Sequence, residues 1–93
     1  MRIPVHPGVV IKEELQARNL SANRFAHNLD IPANRISEII RGRRRVTAET
    51  ALRLAAYFGN NPEFWMRLQM NHDLGCAAAE HGKKIKRAVH KAA

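Results

Sequence analysis

Apolar residues recur along the chain at helical spacing, in five blocks separated by turn signals. The first follows "HPG": Pro7 suits a first helical turn, and Ile11 and Leu15 share one face before the pattern ends near Arg18. After "NLS", Ser21 offers an N-cap for a second helix that turns Phe25, Ala26 and Leu29 inward. Asp30 then makes a turn, as one of the few non-glycine types that tolerate positive φ. Pro32 fits the first position of a third helix and Gly42 the position just past its end. Thr47 caps a fourth helix, with Ala51, Leu54, Ala55 and Phe58 at i, i+3, i+4 and i+7, and Gly59 stops it. Asn61 and Pro62 start a fifth, "PEFWMRLQMNHDL", which is apolar on more than one face. Beyond Gly75 the pattern weakens, and Gly82 with the charges after it predicts a frayed or loosely helical end. The expectation is an all-α, five-helix domain over residues 1–76 with a basic extension at 77–93.

The second and third helices are separated by about three residues, the dimension of a helix-turn-helix whose second helix lies in the major groove. Ala26 is small where the two helices cross. With Ile36, Ile39 and Ile40 turned inward, Asn34, Arg35, Ser37, Glu38 and Arg41 are left on the outer faces. Asn pairs bidentately with adenine, Glu accepts from cytosine N4, and Ser serves a base or a phosphate. Arg41 suits a guanine edge or a phosphate equally. Arg43, Arg44 and Arg45 follow where a docked chain meets the sugar-phosphate wall, and Ser21 at the start of the second helix completes the candidate DNA-binding set.

Charge supports this reading only after dissection. Of the net +8, residues 83–93 ("KKIKRAVHKAA") supply five basic residues and no acid, and the remaining eleven basic and eight acidic residues leave +3. Clustering is the stronger signal, because four of the five residues from 41 to 45 are arginine. The tail reads most simply as a solvated basic end, with a phosphate-binding arm as its functional rival. A single cysteine, Cys76, excludes an intramolecular disulfide and fits a reducing cytoplasm. No apolar run approaches the roughly 20 residues of a membrane span. His72, Cys76 and His81 are too few for a four-ligand structural zinc, and no nucleophile–base arrangement has supporting context, so neither metal, cofactor nor catalysis is expected.

The segments "HPGVVIKEEL", "SANRFAHNLDIPANRISEIIRGRRRVTAETALRLAAYFG" and "NPEFWMRLQMNHDL" together resemble the HigA, or VapI-like, antitoxin family of the lambda-repressor-like helix-turn-helix superfamily, over roughly residues 4–74. The resemblance implies a dimeric repressor of its own operon that also binds and silences a HigB-like ribonuclease toxin. It places the reading helix on Pro32–Arg41 and the basic segment on Arg43–Arg45. Asp30 stands where the superfamily often has Gly, His72 where relatives often have Tyr, and the basic tail lies outside the match. Phe64, Trp65, Leu68, Met70 and Leu74 make a surplus apolar surface on the helix at 61–75, read as a dimer seam with Trp65 divided between core and interface. A HigB-like toxin is itself a basic RNA binder, so its partner surface should be acidic, and Glu13 and Glu14 are the densest negative charge available. The rivals are a solitary helix-turn-helix transcriptional regulator and a protein-interaction module without DNA binding.

Overall fold

Local capping sets most of the helix starts in the computed structural model, which describes residues 2–93. α1 (Pro7–Ala17) begins where the His6 ring accepts the Gly8 amide on Nδ1 at 2.9 Å. α2 (Ala22–Leu29) begins at Ser21, whose Oγ accepts the Arg24 amide at 3.1 Å. α3 (Ala33–Ile40) has no side-chain cap: Pro32, expected at its first helical position, stands one place earlier with an extended backbone. α4 (Ala48–Phe58) is capped by Thr47, and α5 (Pro62–Ala88) by Asn61, whose Oδ1 accepts the Phe64 amide at 2.8 Å. Each cap satisfies an amide that the first helical turn leaves without a partner.

The turn between α2 and α3 spans Asp30, Ile31 and Pro32. Asp30 takes the left-handed conformation, φ 59 and ψ 47, and the Ile31 amide returns to the Ala26 carbonyl at 3.1 Å. Arg53 reaches across from α4 to donate to the Leu29 carbonyl at 2.9 Å, placing a cation on the negative end of α2. Gly42, φ 74, closes α3 as the sequence predicts.

Ile11, Leu15, Phe25, Ala26, Leu29, Ile36, Ile39, Ala51, Leu54 and Ala55 form one buried cluster, joined by Ile31, Val46 and Trp65. Ile40 and Phe58, expected inside, are half-buried at its margin. α1 crosses α3 at Gly8, where a Cβ would overlap the Ile39 carbonyl and the Ile40 backbone. α3 is therefore seated by backbone contact as well as by its isoleucines.

The extension departs from expectation. α5 does not end near Gly75 but continues through Gly82 to Ala88, 27 residues and about 40 Å. Gly75 is a packing position: the N-terminal segment crosses α5 there, and a Cβ would sit 2.8 Å from Pro4 Cδ. Three consecutive alanines (Ala77–Ala79) favour helix, and Lys86 and Arg87 in the last turn offset the helix dipole. The molecule is accordingly elongated, 52 × 22 × 21 Å. Among the described residues no helix is long and apolar enough to cross a membrane.

Candidate nucleic-acid interface

Burying Ile36 and Ile39 turns the opposite side of α3 outward. Asn34 and Arg41 are exposed there, at the two ends of the helix, and Ser37 and Glu38 are half-buried between them. Arg35 lies to one side and faces Glu49 of α4 at 3.6 Å. Past Gly42, Arg43, Arg44 and Arg45 are all exposed. Arg44 meets Glu38 Oε1 through Nη2 at 2.8 Å and Nε at 3.0 Å, and Arg45 meets Asp73 at 2.7 Å. Arg35, Arg44, Arg45, Thr47, Glu49 and Thr50 line a cleft of about 210 Å³.

These ion pairs are solvent-exposed, so each contributes little, about 0–1 kcal/mol. They hold the guanidinium groups in position yet are weak enough to exchange for phosphate. Glu38, expected as a base-contacting acceptor, holds Arg44 in this structure. Ser21 uses its oxygen to cap α2, which leaves its hydroxyl proton free to donate.

Residues without an obvious sequence signal support this face from behind. The Val46 amide, directly after the three arginines, donates to Gln69 Oε1 at 2.7 Å, and Gln69 Nε2 donates to Asp73 Oδ1 at 2.9 Å. One turn of α5 thereby fixes the path of the basic loop. Beside it, His72 Nδ1 donates to the Pro4 carbonyl at 2.7 Å and sets its ring edge-on to His6, centroids 5.1 Å apart. The remaining His72 nitrogen then accepts from the Cys76 thiol, 3.4 Å away. Burial pushes the His6 imidazole below its ordinary value of 6.5; His72 acts in the same direction, and Asp73 and the Arg44 backbone oppose it. His6 reads as a polar residue before "PG", and Gln69 as one more polar position in α5, so neither carries a local signal of its role.

The candidate seam divides between core and surface. Trp65 is 1% exposed, packs on Phe58 and donates Nε1 to Asn60 at 3.1 Å, so it belongs to the core and offers no side-chain surface to a partner. Leu68 is half-buried against the same core. Phe64, Met70 and Leu74 are exposed. On α1, Glu13 is exposed and Glu14 is half-buried, paired with Arg18 at 3.3 Å.

The helix-turn-helix family pattern matches residues 11–65. Over 99% of its length the chain superposes on all of an addiction-module antidote protein of the HigA family from Coxiella burnetii, with a TM-score of 0.92 and 47% identity. The chain belongs to the HigA antitoxin family. That is a family of helix-turn-helix antitoxins and not an enzyme class. This HigA-family chain is also similar to the Pseudomonas aeruginosa antitoxin HigA, whose structure was solved with the higBA promoter. There the identity is 33% and the TM-score 0.91, over 97% of this chain and 99% of that one. Virulence-associated protein I of Dichelobacter nodosus is 43% identical over 74 residues, 78% of this chain and 68% of the relative.

Proposed function

We propose that this HigA-family protein is the antitoxin and autorepressor of its operon. A homodimer seats two copies of α3 in the major groove of operator DNA, and the same protein binds and silences a HigB-like ribonuclease. The observation that carries the DNA half is the outer face of α3, where Asn34 and Arg41 stand clear of the core beside Arg43–Arg45. The promoter complex of the Pseudomonas aeruginosa relative supports it. An eight-residue reading helix covers few base pairs, so useful affinity needs two half-sites about 34–36 Å apart on one face of the duplex.

Titration of the protein against its own promoter and a scrambled duplex tests this directly. Asn34→Ala should weaken operator binding by about 1–3 kcal/mol per half-site and relax preference at one base position. A variant that treats both duplexes as the wild type does removes Asn34 from the reading face.

The toxin half rests on family membership and on charge. A basic ribonuclease avoids Arg41–Arg45 and is drawn to the carboxylates of α1, exposed Glu13 and half-buried Glu14, which lie away from the reading residues in sequence. Co-expression with the neighbouring gene product should yield a stable complex and rescue growth. Reversing Glu13 and Glu14 to Lys should impair that complex and leave operator binding intact. Wild-type affinity in the double variant moves the toxin to another surface.

A further inference from the structure

Past Cys76 the helix leaves the body of the protein. Residues 77–89 are exposed apart from Gly82, yet they remain helical to Ala88. Lys83, Lys84, Lys86 and Arg87 lie on this overhang and Lys91 just beyond it, with no acidic residue after Glu80. Among the described residues none of the five makes an ion pair; Glu80 itself meets only His81, at 3.5 Å. Lys83 and Arg87 stand at i,i+4, and Lys83–Lys86 and Lys84–Arg87 at i,i+3, so the helix holds like charges side by side, each pair destabilising in water. Offsetting the helix dipole requires only the last turn, which Lys86 and Arg87 supply; Lys83 and Lys84 lie before it.

Their direction is the second observation. At 3.6 residues per turn, Lys84 falls about 20° and Arg87 about 40° from Asp73 around the helix axis, some 16 Å and 21 Å further along it. Asp73 is the residue that holds Arg45 at 2.7 Å. Lys84 and Arg87 therefore continue the face of α5 that meets the basic loop behind α3, and Lys83, about 80° from Asp73, stands about 40° beyond Arg87 on the side away from the apolar residues. The exposed apolar residues Met70, Leu74 and Ile85 cluster within about 60° of one another, at about 40°, 80° and 100° from Lys84 and about 100–160° from Arg87.

We propose that the overhang is a second phosphate-binding element, in which Lys83, Lys84 and Arg87 contact the backbone of duplex DNA outside the base pairs read by α3. This rests on the DNA-binding reading above and extends it to flanking, sequence-independent contacts. Its effect is on affinity and salt dependence and not on which bases are chosen.

The test uses the full chain and two duplexes, one ending at the operator half-sites and one extended by about a helical turn, roughly 10 base pairs, at each end. For the wild type, the slope of log K against log salt should be steeper on the long duplex, by about 0.9 for each added contact. Lys83→Gln, Lys84→Gln and Arg87→Gln combined should remove that increment, about 2–3 in slope for three contacts, and leave the operator-to-scrambled ratio unchanged. Lys83→Arg with Lys84→Arg keeps the charge and should keep the increment, and circular dichroism checks that the Gln variant retains its helix. Equal slopes for wild type and Gln variant on the long duplex overturn the proposal. So does a Gln variant that loses toxin binding while its DNA slopes stay unchanged, which would make the overhang a protein contact. Loss of operator preference in the wild type itself would sink the repressor reading, and the tail contribution would still be read on scrambled duplex.

Discussion

Val46 and Gln69, each 1% exposed, are joined across 23 positions of sequence by a hydrogen bond of 2.7 Å from the Val46 amide to the Gln69 side chain. A buried amide left without a partner costs about 1–3 kcal/mol. Gln69→Leu fills the space but removes the acceptor, so the domain should lose about that much stability. At about 4–8 °C per kcal/mol for a domain of this size, thermal unfolding should shift down by about 5–20 °C. Gln69→Glu keeps an acceptor but sets a second carboxylate against Asp73 Oδ1, where Gln69 Nε2 now donates at 2.9 Å, and should lose at least as much. An unshifted melt for Gln69→Leu would mean that the loop finds another partner or that water replaces the amide.

Gly8 faces a harder constraint than any residue of the reading face. Its α-carbon lies against the Ile39 carbonyl and the Ile40 backbone, neither of which moves without displacing α3. Gly8→Ala normally favours a helix by up to about 1 kcal/mol. Here overlap with backbone should outweigh that gain, destabilising the fold by about 1–3 kcal/mol or more and weakening operator binding with it. Chemical denaturation reads the first effect; a stabilised Gly8→Ala variant would show that the two helices part easily.

The helices and the outward face of α3 were legible in the sequence because their causes are local. Ser21, Thr47 and Asn61 cap where their side chains require it, and Asp30 and Gly42 take the left-handed turns assigned to them. The isoleucine spacing of α3 likewise leaves Asn34 and Arg41 exposed. What escaped depends on contacts distant in sequence. Gly75 carries no packing signal until the N-terminal segment is seen crossing it, and Trp65 reads as divided between core and interface until Phe58 and Asn60 are seen to enclose it. Gln69 carries no periodic signal at all, since its importance lies in an amide 23 residues away.

The His6 cap makes stability depend on pH. Its Nδ1 accepts the Gly8 amide only as the neutral ring, and burial, aided by His72, depresses its affinity for a proton. The unfolded chain therefore binds a proton more readily than the fold, starting near pH 6.5. The contribution is fully present above that value and is lost as pH falls through the depressed value in the fold. Stability should accordingly rise with pH across the window below 6.5. His6→Asn keeps a capping oxygen that does not titrate, so denaturation curves from pH 5 to 7 should flatten for this variant. A wild-type pH slope retained in His6→Asn assigns the dependence to another group.

The three arginines after α3 should not act equally. Arg43 makes no ion pair among the described residues, while Arg44 and Arg45 must leave Glu38 and Asp73 to meet a phosphate. Neutralising each that contacts DNA should flatten the salt slope by about 0.9, with specificity ratios little changed. Asp73→Asn should instead tighten binding to all duplexes, because it frees Arg45. If neutralising all three leaves the slope unaltered, the arginines face solvent in the complex.

Dimerisation, which the half-site geometry demands, needs a surface that the monomer leaves open. With Trp65 enclosed and Leu68 half-buried, that surface reduces to Met70 and Leu74, 51% and 62% exposed, with Phe64 about 80° around the helix from Leu74. Two copies that pair along this line bury apolar side chains on both, at about 25 cal/mol per Å² removed from water. A carboxylate at the centre of such a seam must be desolvated without a partner, which opposes association strongly. Met70→Glu lies outside the core, so the fold itself should survive with an unchanged helical spectrum. Sedimentation should then find monomers, and operator affinity should collapse toward that of a single half-site. Retention of the dimer by Met70→Glu would move the seam off this face, and Phe64→Glu would then be the variant to examine for the same loss.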